Sequence, residues 1–239
     1  MGSILTLTGA GNAGSSPSLV GLKAWYKPDA ELLAVGDGNP VDVWADASGN
    51  GNDVEQLTGS KRPTFIASST INSGPAVRFN TTVDTYLEQG FPSGFGSETG
   101  QTLLIVFRLT SDVSNATLLT TAVGSEFYGT LNGADSQFEY RNPIAAVTLS
   151  GLAPKGPFLG VATFSDSGNS THLELVGTAS TTDADFGTLT TTLIGIGAAN
   201  ASATATFVGD IAEILIYDRD ITGPGLDQSK AYLQRGYGV

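Results

Sequence analysis

Apolar and β-branched residues recur along this chain in short runs, separated by clusters of Gly, Asn, Asp, Ser and Pro. The runs are Leu22–Tyr26, Val41–Trp44, Thr64–Ala67, Ala76–Phe79, Tyr86–Glu88, Thr102–Leu109, Thr117–Ala122, Glu126–Leu131, Gln137–Arg141, Phe158–Ser165, His172–Val176, Thr191–Ile196 and Thr206–Asp218. Val, Ile, Phe, Tyr and Thr dominate them, and these residues suit a pleated, half-buried surface. The breaks, such as Ser48–Asp53 and Leu131–Asp135, hold the residues of tight turns. About a dozen short strands at hairpin-like spacing, with almost no helical period, predict an all-β fold of two packed antiparallel sheets.

Two segments depart from this pattern. Gly225–Gly236 places Leu226, Ala231, Tyr232 and Leu233 at helical spacing, which predicts one short C-terminal helix. Residues 1–18 carry a brief alternation around Ile4, Leu5 and Leu7 and then a Gly/Ser/Asn-rich stretch. They read either as a flexible leader or as a docking arm that adds a strand to a neighbouring subunit. The expected organisation is an arm over residues 1–18 and a single domain over 19–239, since a sandwich of this length can form one unit.

Composition narrows the partners. Hydrophobic residues make up 40% of the 239, enough for one continuous core, while charged residues make up only 14%, against roughly 25% in an average globular chain. The net charge is −12, from 23 acidic and 11 basic residues. Nucleic acid is therefore excluded as an expected partner, because phosphate binding needs clustered Lys and Arg. With no cysteine, no disulfide staples the domain. The first residues lack the charged start and apolar run of a secretory signal, and no stretch approaches a membrane span. Open sheet edges and an arm together suggest a homo-oligomer or a larger assembly.

Two stretches resemble the laminin-G-like members of the concanavalin A-like lectin/glucanase superfamily, as found in phage virion and bacterial surface proteins. The first runs LKAWYKPDA, VDVWADASGNGNDVEQ, KRPTF and GPAVRFN between Leu22 and Asn80. Trp44, Asp46, Ser48, Gly49, Asn50, Gly51, Asn52 and Asp53 match the family's W-x-D-x-S-G-N-G-N-D turn. Arg62-Pro63 matches its R-P pair, and Ala76–Phe79 matches its A-V-R-F strand. The second stretch, Phe207–Gly238, is similar to the closing strand G-x-I-A-E-I-x-I-Y-D and its short helix. It departs from relatives at Gly223-Pro224-Gly225. The resemblance implies a jelly-roll sandwich and a virion-associated structural role (capsid decoration, head fibre or tail), docked by the arm to other virion or surface subunits. The alternative is a lectin-like module on a cell surface that recognises glycan.

Candidate chemistry is sparse against that background. A glycosidase needs two carboxyls about 5–5.5 Å or 6.5–9.5 Å apart, and no E-x-D-x-E run lies along a strand. Thr182-Asp183-Ala184-Asp185 reads as a loop, and the offset of three between Asp210 and Glu213 places them on opposite faces of an ideal strand. Along that strand Ile211, Glu213, Leu215 and Tyr217 share one face, and Glu213 is expected to pair with an Arg or with backbone amides. His172 is the single histidine and has no nucleophile motif around it. The expectation is a non-catalytic protein. Asp46, Asn50, Asn52 and Asp53 offer oxygens suited to calcium, which laminin-G-like relatives hold at the rim, or to Asx turns that stabilise the loop. Trp25, Phe91, Phe95 and Tyr128 are the aromatic candidates for stacking on sugar, with Tyr26 and Tyr140 behind them.

Overall fold

The structure, a computed structural model, describes residues 16–80, 84–90, 92–95, 97–98, 100–111, 116–122, 125–130, 137–141, 146–150, 156–165, 170–184, 189–198 and 206–239. In chain order the elements are β1 (Leu22–Tyr26), α1 (Ala30–Val35), β2 (Val43–Trp44), β3 (Val54–Glu55), β4 (Thr64–Ile66), β5 (Ala76–Phe79), β6 (Leu87–Gly90), β7 (Ser97–Glu98), β8 (Gly100–Leu109) and β9 (Ala116–Ala122). There follow β10 (Ser125–Thr130), β11 (Gln137–Arg141), β12 (Ala146–Ser150), β13 (Phe158–Ser165), β14 (Ser170–Leu175), β15 (Ala179–Ala184), β16 (Leu189–Thr190), β17 (Leu193–Ile196), β18 (Gly209–Tyr217) and α2 (Pro224–Tyr237).

Two antiparallel sheets form the predicted sandwich. The first runs β15-β14-β13-β8-β18-β5-β4, with β1 also paired to β18 beyond the end of β5, and the second runs β12-β11-β10-β9-β17-β6-β3-β2. The inner faces meet over Tyr26, Trp44, Phe65, Phe79, Phe107, Phe138, Ile194 and Phe207, all at most 1% exposed. Gly160 on β13 is required where the sheets come together. A Cβ there would stand 2.5 Å from the ring of Phe138, which itself stacks on Phe107.

The first sheet is covered on its other face as well. Trp25, Leu104, Val106, Val161, Ala212, Leu215 and Tyr217 pack there against Leu233 and Tyr237 of α2. This third layer explains why every residue of β18 is buried, since a strand covered on both faces reads as a continuous apolar run. The helix extends to both sides of its predicted range. Pro224 opens it at a position where the missing N–H costs nothing, and Gly238 closes it in the left-handed conformation with its N–H on the Gln234 carbonyl. Among the described residues no helix is long and apolar enough to cross a membrane.

Each predicted strand has a counterpart, displaced by a few residues at its ends. Strands β3, β7, β12, β15 and β16 and the helix α1 are additional. Helix α1 is six residues long, too short for a periodicity signal, and Asp29 starts it by accepting the Leu32 N–H at 2.9 Å. The Thr182–Ala184 segment, expected to be a loop, belongs to edge strand β15, where pairing to β14 overrides a sequence rich in Ser, Thr, Asp and Ala.

A second correction concerns β18. A bulge between Ile211 and Glu213 in the pairing with β8 shifts the face assignment. Ile211 joins Ile214 and Ile216 in the inner core, while Ala212, Leu215 and Tyr217 face α2. Asp210 and Glu213 therefore both point to the outer layer instead of to opposite faces.

Candidate functional site

Three polar constellations stand out, and what separates them is whether the chain's own donors already use their hydrogen-bonding capacity.

The first is the Gly/Asn-rich loop after β2. Asp46 Oδ1 accepts the Trp25 N–H at 2.9 Å and the Ser48 N–H at 2.8 Å. Its Oδ2 accepts the Ser48 hydroxyl at 2.8 Å and the Asn52 N–H at 3.0 Å. Asp53 accepts the Asp46 N–H at 2.7 Å. Asn50 donates to the Leu22 and Lys23 carbonyls, and buried Asn52 donates to Lys23 and Ser93 and accepts the Ser93 N–H. Gly49 and Gly51 take φ of +85° and +74°, which lets the loop turn back on itself. The four residues put forward for calcium thus clip β1 to the segment around Ser93. Both Asp46 oxygens face N–H and O–H donors, and both Asn side-chain amides donate to carbonyls, so the loop is held together by its own hydrogen bonds.

The second lies under α2. Glu213, 2% exposed, accepts the Trp25 indole N–H at 2.6 Å and the Tyr237 hydroxyl at 2.7 Å. This corrects the expected Arg or amide partner. Burial pushes the Glu213 carboxyl above its ordinary value, opposed by hydrogen bonds from Tyr237, Trp25 and Tyr232 and by the Lys27 ammonium. Lys27 rests 3.8 Å over the Trp25 ring, and Tyr232 meets that ring edge-on. A cavity of about 270 Å³ opens here, but its carboxylate and its ammonium are both engaged by the protein. Asp210 is equally committed, to Arg78 at 2.7 and 2.9 Å and to Thr70 at 3.0 Å. Both carboxylates are thus held by hydrogen bonds within the protein.

The third is a groove of about 800 Å³ on the outer face of the second sheet, across β3, β6 and β17. Glu55 and Glu88 stand directly opposite each other in the β3–β6 pairing. Among the described residues neither carboxylate has a hydrogen-bond or ion-pair partner, and the Gln89 amide is likewise unengaged. Leu57, 80% exposed, and Leu193 supply apolar surface, and Tyr86 closes one side while remaining 7% exposed. The walls are fixed from behind. Buried Gln56 donates to the Tyr86 carbonyl at 3.3 Å and accepts the Thr58 N–H at 2.9 Å, and Arg62 donates to the Gln56 carbonyl at 2.9 Å. Like charges opposed across two strands cost stability, so this pair is placed against the interest of the fold.

Among the described residues none of the aromatic candidates lines this groove. Trp25 is 9% exposed, held between Glu213, Lys27 and Tyr232, and so offers no ring face to a sugar. Tyr26 is fully buried with its hydroxyl on the Asn52 carbonyl. Phe95 is half-buried against the inner core. Phe91 and the arm residues Ile4, Leu5 and Leu7 lie outside the described residues. Tyr128 and Tyr140 sit on β10 and β11, and their side chains lie outside the description. His172 is half-exposed on β14, its Nε2 3.8 Å from Glu174, which bonds Lys230 at 2.8 Å. The groove residues Glu55, Leu57, Glu88 and Gln89 escape a reading of the sequence because they meet only through strand pairing. The one local signal is Leu57, an apolar residue in an otherwise polar turn.

No protein-family model matches the chain, and no curated protein matches it in sequence. Its fold is similar to the binding domain of Paraclostridial Mosquitocidal Protein 1, with TM-score 0.58 and 10% identity over 90% of this chain and 52% of that one. It is similar as well to Domain 4 of AbnA, a GH43 extracellular arabinanase from Geobacillus stearothermophilus in complex with arabinotriose, with TM-score 0.56 and 15% identity over 88% and 98%. A GH54 α-L-arabinofuranosidase gives TM-score 0.61 and 13% identity over 83% and 50%. The chain spans about half the length of the toxin domain and of the arabinofuranosidase, and nearly all of the arabinanase domain. At these identities the likeness is one of fold, a β-sandwich.

Proposed function

We propose that this chain is a non-catalytic, lectin-like module of the concanavalin A-like kind that binds carbohydrate in the groove across β3, β6 and β17. The observation that carries the reading is the unspent hydrogen-bonding capacity there: Glu55 and Glu88 stand opposite each other near exposed Leu57 with no partner of their own among the described residues. Sugar hydroxyls donate well to carboxylates, and such charge-assisted bonds are the strong ones. Hydrogen bonds to these two carboxylates are the part of the recognition that the described residues supply. The fold shared with a domain solved with arabinotriose is consistent with this use of a sandwich.

Hydrolysis is not part of the proposal, although Glu55 and Glu88 are cross-strand neighbours. Neither residue is buried: Glu55 is exposed and Glu88 half-buried on the open side of the sheet. Isothermal titration against an oligosaccharide panel tests the reading. Glu55→Ala and Glu88→Ala should each weaken binding about 10- to 100-fold, from the loss of one charge-assisted hydrogen bond, while the melting temperature holds or rises. Binding indifferent to both substitutions, or release of new reducing ends, contradicts the proposal.

Display on a virion or cell surface through residues 1–18 is the second part of the proposal, favoured by how the base of the arm is held. Gln228 donates to the Ser16 and Pro17 carbonyls, the Ser18 N–H donates to Ser229, and the Tyr217 hydroxyl donates to the Ser18 carbonyl. Exposed Leu19 and Val20 come directly after it. Deleting residues 1–15, which spares these bonds, should leave the domain folded and abolish co-sedimentation with particles or self-assembly seen by light scattering. Unchanged association after the deletion removes the arm from the account.

A further inference from the structure

The charge of the groove narrows its ligands beyond carbohydrate in general. Of the ten described residues that line it, two are carboxylates and none is cationic. Glu55 and Glu88 are paired in register on adjacent strands, so their fields add at the same place instead of being spread along the surface. The neighbouring cations stand behind the groove wall without being among its described lining residues. The Arg62 Nε–H donates to the Gln56 carbonyl and its guanidinium leans toward Asp42 at 3.8 Å, and the Lys61 ammonium lies 5.6 Å over the Tyr86 ring. The chain as a whole carries −12, so long-range steering also turns anions away.

Resting on the reading of this groove as a glycan site, we infer that its ligands are neutral oligosaccharides and that sugars bearing carboxylate, sulfate or phosphate groups are rejected. A neutral sugar presents hydroxyl donors that Glu55 and Glu88 accept. An anionic sugar brings a third negative charge beside two that have no counter-ion among the described residues, and no described Arg or Lys lines the groove to form the bidentate or point-charge contact that acidic sugars require. Selectivity by repulsion is a familiar way to tell ligands apart. It also gives a reason for a carboxylate pair that the sheet would be more stable without.

The test uses the full chain and matched probes: a galactose-terminated trisaccharide against its sialylated form, and a neutral xylo-oligosaccharide against an oligogalacturonate of equal length. Each is titrated at about 20 mM and about 500 mM sodium chloride, a range over which screening weakens repulsion between exposed charges. At least one neutral probe should bind at least tenfold more tightly than its acidic partner, with the gap narrowing at high salt. The double variant Glu55→Gln, Glu88→Gln, which keeps hydrogen-bonding groups but removes both charges, should bring the two affinities within about threefold of each other. If acidic probes bind as well as neutral ones and groove substitutions weaken both, the inference fails while the glycan site stands. If no probe binds, or binding ignores groove substitutions, the glycan site fails and the inference falls with it.

Discussion

Replacing Glu213 with alanine is expected to destabilise the protein by about 4 kcal/mol at pH 5, a drop in melting temperature of roughly 8–16 °C for a chain of this size. The substitution leaves the Trp25 indole N–H and the Tyr237 hydroxyl, both in the buried layer under α2, without their acceptor. Each orphaned donor costs about 1–3 kcal/mol, and the vacated volume adds a cavity term. The loss should shrink as pH rises. Burial holds the Glu213 carboxyl above its ordinary value of 4.5 in the folded state, so between that value and the raised one the folded protein binds more protons than the unfolded chain. The stability this proton contributes is fully present below the ordinary glutamate range and is lost as pH rises through the folded value. Wild-type melting temperature should therefore fall across that window, and Glu213→Gln should flatten the dependence. Denaturation curves at half-unit intervals from pH 4 to 8 check both, and an alanine penalty that stays constant or grows with pH counts against this account of the carboxyl.

Asp46→Ala should cost about 3 kcal/mol, or roughly 6–12 °C. One carboxylate accepts four donors there, two of them the backbone N–H groups of Trp25 and Asn52, on either side of the loop. Hydrogen bonds to a charged acceptor are each worth about 1.5–3 kcal/mol, and in this half-exposed loop water replaces part of what is lost. Because the loop holds β1 in register, the effect should be global and cooperative. The same measurement decides between hydrogen-bonded clip and calcium site. With the oxygens satisfied by N–H and O–H groups, millimolar calcium should leave the wild-type transition where it is. A rise of several degrees in the wild type that Asp46→Ala abolishes would restore the cation reading.

How much of this was legible in the chain depends on the range of the interactions involved. Strands such as β5, β8, β13 and β18 are dense in Val, Ile, Leu and Phe and announce themselves locally, and the loop from Ser48 to Asp53 declares its turns through Gly and Asn. Local chemistry likewise pointed to Asp46 and Asp53 as acceptors for loop amides, as their hydrogen bonds show. The bulge that turns Ile211 inward was not legible, because a strict period of two contains no sign of an extra residue. Nor was the burial of Trp25. In sequence it is an aromatic beside Ala and Tyr. What hides it is α2, which returns from the far end of the chain to lay Tyr232 and Tyr237 against it. The groove belongs to the same class of long-range fact. Glu55 and Glu88 sit in ordinary polar surroundings and become a constellation only when β3 and β6 pair.

Carbohydrate binding in the groove across β3, β6 and β17 is the central claim. Backbone amide chemical-shift mapping of the isotope-labelled protein, titrated with whichever neutral oligosaccharide the calorimetric panel selects, locates the contact directly. Saturable shifts should concentrate at Glu55, Leu57, Tyr86, Glu88, Gln89 and Leu193, with the resonances of Trp25, Tyr232 and Tyr237 unmoved. Shifts that gather under α2 or on the Asp46 loop, or that leave the groove residues untouched at saturation, would contradict it.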